Sequence, residues 1–231
     1  MLRCGEEIVP VEMTRKKIKN MTLRVGKRGR VTLSVPFFYD RARIDAFLDQ
    51  KKEWIVFHRQ KKKERASYLD LPFLLPSGEA YYLGRKRKVR IELAFQNAVD
   101  FGEEEIVIKC KGSLSRAEAV YQKCLEEQAY KLFQSYLDKW RPFFLKYGAK
   151  DVTLEVRLFK ARWGDCMRST KRIRMNLRLM QSPPECIEQV AVHELVHLRY
   201  AGHGVKFHAC LDSLLPNAKA LKKKLDAGVI V

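Results

Sequence analysis

Ser182-Pro183-Pro184-Glu185-Cys186-Ile187-Glu188-Gln189-Val190-Ala191-Val192-His193-Glu194-Leu195-Val196-His197-Leu198-Arg199-Tyr200-Ala201-Gly202-His203-Gly204 carries more structural instruction than any other stretch of this chain. Ser182 with Glu185 three residues on has the form of a capping box, and proline suits a first helical position, so a helix is predicted from about Pro183 to Ala201. The run is apolar around most of its circumference and should be buried. Residues four apart share a helical face, so His193 and His197 can point at one metal ion while Glu194 stands beside the position left open.

His203 cannot join them by continuation of the helix, because at about 100° per residue its side chain would point away. Gly202 and Gly204 bracket it, and glycine is the usual left-handed helix terminator, so the chain is expected to turn there and bring His203 back under the metal. The candidate metal ligands are therefore His193, His197 and His203. Three neutral imidazoles leave a fourth position for water, whose pKa a bound zinc lowers to about 7. Zinc is the ion this donor set favours, and other divalent transition metals are compatible with it. Glu194 is the candidate general base, taking a proton from that water and delivering it to the leaving amine of a cleaved peptide. The competing reading, a core helix with buried histidines, leaves a polar trio unpartnered at a cost of several kcal/mol. Tyr200, Arg162 and Arg199 are candidates for oxyanion stabilisation by proximity in sequence.

Outward from this helix, Val152, Leu154, Val156 and Leu158, then Ile173, Met175 and Leu177, alternate as two strands flanking Arg162-Trp163-Gly164-Asp165-Cys166. Before them Ser115-Arg116-Ala117-Glu118 reads as a second capping box, opening a long helix through Trp140 that is disturbed at Pro142 and ended at Gly148. That helix is expected to pack beside the metal helix. The order helix, strands, metal helix is that of a minimal zincin, in which an edge strand above the metal helix can pair with an extended peptide. Phe207, Cys210, Leu211 and Leu214 mark a further amphipathic helix, and 217–227 a basic terminal one.

The first half reads differently. Met21 to Val25 and Val31 to Val35 alternate across Gly26-Lys27-Arg28-Gly29 as a hairpin with a basic tip. Asp40 can cap a following helix that carries Ile44, Phe47, Leu48, Trp54 and Ile55 and runs to the lysines near Lys63. His58 there is read as structural or exposed. Strand patterns return from Glu79 to Cys110. The expected division is a basic β-rich region with one helix over 1–112 and a zincin-like metallohydrolase domain over 113–231.

With 46 Lys+Arg against 27 Asp+Glu the chain has a formal charge of +19, which points to an anionic partner or substrate. The excess collects in Arg15 to Arg30, Lys61-Lys62-Lys63 and Arg85-Lys86-Arg87-Lys88, so the amino-terminal half is a candidate nucleic-acid surface. Neither a signal-peptide core nor a membrane-spanning run is visible, so a cytoplasmic protein without membrane association is expected. Six cysteines without a C-x-x-C pair read as reduced, mostly buried thiols rather than a zinc finger. Oligomeric state is not legible.

The stretch Arg162-Trp163-Gly164-Asp165-Cys166, Ile173-Arg174-Met175-Asn176, His193-Glu194-Leu195 to His197, His203 and Phe207 resembles the YgjP-like metallopeptidase domain. The hairpin, the helix ending near Trp54-Ile55 and the Tyr82-Leu83-Gly84 turn extend the resemblance over most of the chain. It implies an α+β zincin related to SprT-type proteases, with helices packed on a small antiparallel or mixed sheet. It also implies His193, His197 and His203 as ligands and Glu194 as base. Two positions depart from the family pattern: Asp165 stands where serine is usual, and His208 where tryptophan follows the phenylalanine. The expected activity is a zinc-dependent metallopeptidase acting on a polypeptide. Metal-dependent nucleoside triphosphate pyrophosphohydrolysis is the second reading, favoured by the charge, although no glycine-rich phosphate loop is visible. A third makes the basic half a module that carries a protease to nucleic-acid-bound proteins.

Overall fold

The computed structural model describes residues 2–4, 7–26, 29–64, 69 and 71–228, the side chains of 60–64 excepted. The chain forms two compact units, Met1–Ala66 and Ser67–Val231.

In the smaller unit, β1 (Leu2–Cys4) pairs antiparallel with β2 (Glu7–Val9). A second sheet has the order β3 (Val11–Lys16), β5 (Val31–Pro36), β4 (Thr22–Val25). The predicted hairpin is β4 against β5, with Leu23 opposite Leu33, and β3 lies parallel on the other side of β5. Lys27 and Arg28 of its basic tip lie outside the described residues. Period-two alternation puts Val31, Leu33 and Val35 inward, where they meet Ile44, Leu48 and Ile55 in one core. Asp40 caps α1 (Arg41–Gln50) by accepting from the Arg43 N–H. The expected single helix is broken at Lys51, whose N–H bonds back to Leu48, and α2 (Lys52–Glu64) follows. His58 bonds the Trp54 carbonyl and stacks on the Trp54 ring.

The larger unit has a mixed four-stranded sheet of order β6 (Glu79–Tyr82), β7 (Arg85–Leu93), β9 (Glu105–Cys110), β8 (Ala98–Phe101). The long α3 (Leu114–Trp140) follows, then a 3-10 segment over Arg141–Tyr147 that Gly148 terminates at φ 80°. A second, three-stranded sheet has the order β10 (Thr153–Arg157), β12 (Arg172–Asn176), β11 (Gly164–Met167). Last come α4 (Pro184–Arg199), α5 (Val205–Leu214) and α6 (Ala218–Ala227).

The boundary expected at 112/113 falls inside this unit. Ile106 and Ile108 of β9 share one core with Tyr121, Leu125 and Phe133 of α3, Ile173 and Met175 of β12, and Ile187 and Leu195 of α4. α3 has too broad an apolar face to be covered by one neighbour, so it packs against both sheets and α4. Among the described residues no helix is long and apolar enough to cross a membrane. The six cysteines are unpaired.

Both capping boxes are displaced. α3 begins two residues early, with Ser113 at the cap position bonded to Ser115 rather than to a backbone N–H. At α4 it is Pro183 that holds the cap position. Ser182 closes the preceding 3-10 turn through its N–H to the Leu179 carbonyl, which leaves its hydroxyl buried without a partner, and Glu185 pairs with Lys224 instead. The start of α4 is fixed by packing. Gly84, at φ +79°, lies so close beneath Pro183 that a Cβ would meet its ring and backbone at 2.8 Å.

Candidate metal centre

α4 carries His193 and His197 one turn apart, with Glu194 next to the first, as the sequence spacing requires. The helix ends at Tyr200, which leaves in an extended conformation (φ −123°, ψ 121°) with its N–H still on the Val196 carbonyl. This step returns the chain to the site, and no left-handed glycine takes part. Gly204 is extended at φ −76° and opens α5, and neither it nor Gly202 has a neighbour within 4 Å of a built Cβ.

The return brings one nitrogen each of His193, His197 and His203 within 4.8 Å of one another. The Nε2 atoms of His193 and His203 lie 3.0 Å apart. His197 donates its Nδ1–H to the Tyr200 carbonyl at 3.0 Å, so its Nε2 lone pair faces the other two rings. Phe207 of α5 lies beneath all three, its centroid 4.7 to 4.8 Å from theirs, and holds them at one focus. Burial, then the neighbouring histidines and Lys222, push the His193 imidazole down to about 3, so it is neutral with its lone pair available. His208 stands apart, its ring 6.5 Å from that of His203.

This arrangement fits a metal. Four ligands at zinc–nitrogen distances of about 2.0–2.1 Å sit roughly 3.3 Å from one another in a tetrahedron, and the observed separations bracket that value. The donors are all imidazole nitrogens, with no thiolate among them.

Glu194 is 5% exposed. Burial, reinforced by Asp165 and opposed by Arg162 and Lys222, raises its carboxyl to about 8. Sequence reading assigned no role to a glycine that lies against it. Gly164, on the edge strand β11, lies where a Cβ would be 2.9 Å from Glu194 Oε1 and 3.1 Å from its Cγ. The open approach of a strand to a helix carboxylate is the only signal such a glycine gives.

Asp165, next along, accepts from Arg174 through Nε and Nη2, each at 2.7 Å, and from Arg162 Nη1 at 2.9 Å. It therefore braces β11 against β12 and holds Arg162. The centre opens into a cleft of about 770 Å³ whose lining includes Arg162, Trp163, Gln189, His208, Lys219 and Lys222. Of the three oxyanion candidates only Arg162 lines it. Arg199 instead covers the rings of Tyr147 and Tyr200.

A small mixed sheet lying over a helix that presents converging imidazoles defines a zincin-like α+β domain. The chain belongs to the YgjP-like metallopeptidase domain family, whose profile matches residues 19–228. It thus carries a metallopeptidase domain, and membership implies a metal, typically zinc, for which the histidine triad is the available site. No curated protein matches the chain.

Proposed function

We propose that this protein is a zinc-dependent peptidase in which His193, His197 and His203 hold the metal and Glu194 is the general base. A bound zinc supplies Lewis-acid polarisation of the scissile carbonyl and acidifies water. Glu194 takes the proton of the attacking water, and the same carboxyl returns it to the leaving amine nitrogen.

The observation that carries this reading is the edge strand. Among the described residues β11 pairs with β12 on one side only, and Gly164 brings its backbone against Glu194. An extended polypeptide adding to the free edge of β11 would run its carbonyls past the base and the triad. The second reading, phosphoanhydride hydrolysis, draws on Arg162, Lys219 and Lys222 around the same cleft.

Both readings are tested with zinc-loaded wild type and Glu194→Gln on an unfolded protein substrate and on nucleoside triphosphates. New peptide termini that require Glu194 support the peptidase. Pyrophosphate release that requires Glu194, without peptide cleavage, replaces it with the second reading.

A further inference from the structure

The smaller unit presents a second surface, unrelated to the metal centre. Between β5 and α1 the chain turns through Phe37, Phe38 and Tyr39, and two large rings project into solvent, Phe37 65% and Phe38 73% exposed. The turn is rigidly built. Arg15 Nη1 donates to the carbonyls of Phe37 at 2.8 Å, Tyr39 at 3.0 Å and Pro36 at 3.4 Å, fixing the backbone from which both rings hang. Tyr39 meets Phe38 edge-on at 4.8 Å, and the Arg43 guanidinium caps the Tyr39 ring at 4.3 Å.

Basic residues flank the turn in the chain and in the sheet. Lys16 is the β3 partner of Pro36, so Lys16, Lys17 and Lys19 leave the sheet beside the turn, all exposed. Among the described residues these lysines have no acidic partner. The nearby carboxylates are already engaged: Glu12 binds Arg30, Asp40 caps α1, and Asp45 pairs with Arg41.

We propose that this corner binds single-stranded nucleic acid, with bases stacked on Phe37 and Phe38 and phosphates on Lys16, Lys17, Lys19 and Arg43. Unpaired positive charge supplies affinity for the backbone. Open ring faces supply sequence-tolerant stacking, which a double helix with its bases already stacked does not use. The surface is a turn and an edge strand, with no helix offered to a major groove. This deepens the reading of the basic half from bulk charge to named residues. It is independent of the peptidase reading, since every residue involved lies outside the larger unit.

The test uses the full chain and fluorescence anisotropy with labelled dodecathymidylate, its abasic counterpart and a duplex of equal length, at low and rising salt. Phe37→Ala with Phe38→Ala is expected to weaken binding to the oligothymidylate roughly tenfold or more and to leave binding to the abasic chain unchanged. Lys16→Glu with Lys17→Glu should weaken both single strands and flatten the salt dependence by roughly 0.7 for each phosphate no longer neutralised. Circular dichroism and retained metal content check that the variants fold.

Absence of binding at low salt would overturn the proposal. So would an oligothymidylate affinity indifferent to the two phenylalanines. Binding to phosphatidylserine vesicles that needs both rings, with nucleic acid bound no more tightly than its abasic form, would assign the corner to a membrane surface instead.

Discussion

Burial of Glu194 makes the metal-free protein's stability depend on pH in a way that one substitution isolates. The carboxyl ordinarily titrates near 4.5 and is raised to about 8 in the folded chain, first by burial and then by Asp165. Because the folded value stands above the unfolded one, this group contributes stability that is fully present below 4.5 and is lost as pH rises through about 8. At roughly 1.4 kcal/mol per pH unit across that interval, the loss reaches at most about 5 kcal/mol. Glu194→Gln has no proton to lose. Relative to wild type, the chelator-stripped variant should therefore gain stability steadily between about pH 5 and pH 9, by up to about 10–20 °C in melting temperature at the roughly 2–4 °C per kcal/mol of a domain this size. Thermal unfolding followed by circular dichroism across that range reads the difference directly. A gap between the two proteins that does not change with pH would refute the reasoning, since it would mean that folding leaves the carboxyl's affinity for protons unaltered.

Three further outcomes follow from the same geometry. His203→Ala should weaken zinc binding by more than the roughly 10–100-fold typical of an outer-shell partner, while His208→Ala leaves it unchanged, as competition with a chromophoric chelator would show. Gly164→Ala pushes a methyl group to 2.9 Å from Glu194 Oε1, with the Arg174 carbonyl at 3.1 Å preventing easy retreat; turnover should fall roughly hundredfold with zinc content unaltered. Metal-free wild type should also lose stability in acid. The His193 imidazole, depressed to about 3, contributes stability present above 6.5 that disappears as pH falls toward 3, and His193→Gln should remove much of that loss in melting curves.

What the sequence made legible was periodic or local. The metal helix, the hairpin of β4 and β5, the Asp40 cap and the Gly148 stop follow from apolar spacing and from residues acting on their own backbone. The pairing of His193 with His197 was legible for the same reason, because helical spacing alone places them together. What stayed hidden depends on tertiary partners. The return of His203 was expected from glycines and is made by an extended Tyr200, whose carbonyl also orients His197. Gly-Asp-Cys-Met of β11 shows no alternation, and its register on β12 comes from the bond of Asp165 to Arg174 across the pair. The division into units at 66/67 was not legible, because the apolar face of α3 does not say which neighbours cover it. Phe37 and Phe38 fall in a turn between two periodic segments, where no pattern announces that both rings face solvent while Arg15 holds the backbone beneath them.

The central claim is a zinc ion held by three imidazoles. X-ray absorption at the zinc edge of the loaded wild-type protein and of His203→Ala tests it most directly. The account predicts one zinc per chain with three nitrogen ligands at about 2.0–2.1 Å and no sulfur, falling to two imidazoles in the variant. Sulfur bound to the zinc, supplied by a thiol such as the part-buried Cys166 beside Glu194, or an unchanged imidazole count in His203→Ala, would contradict it.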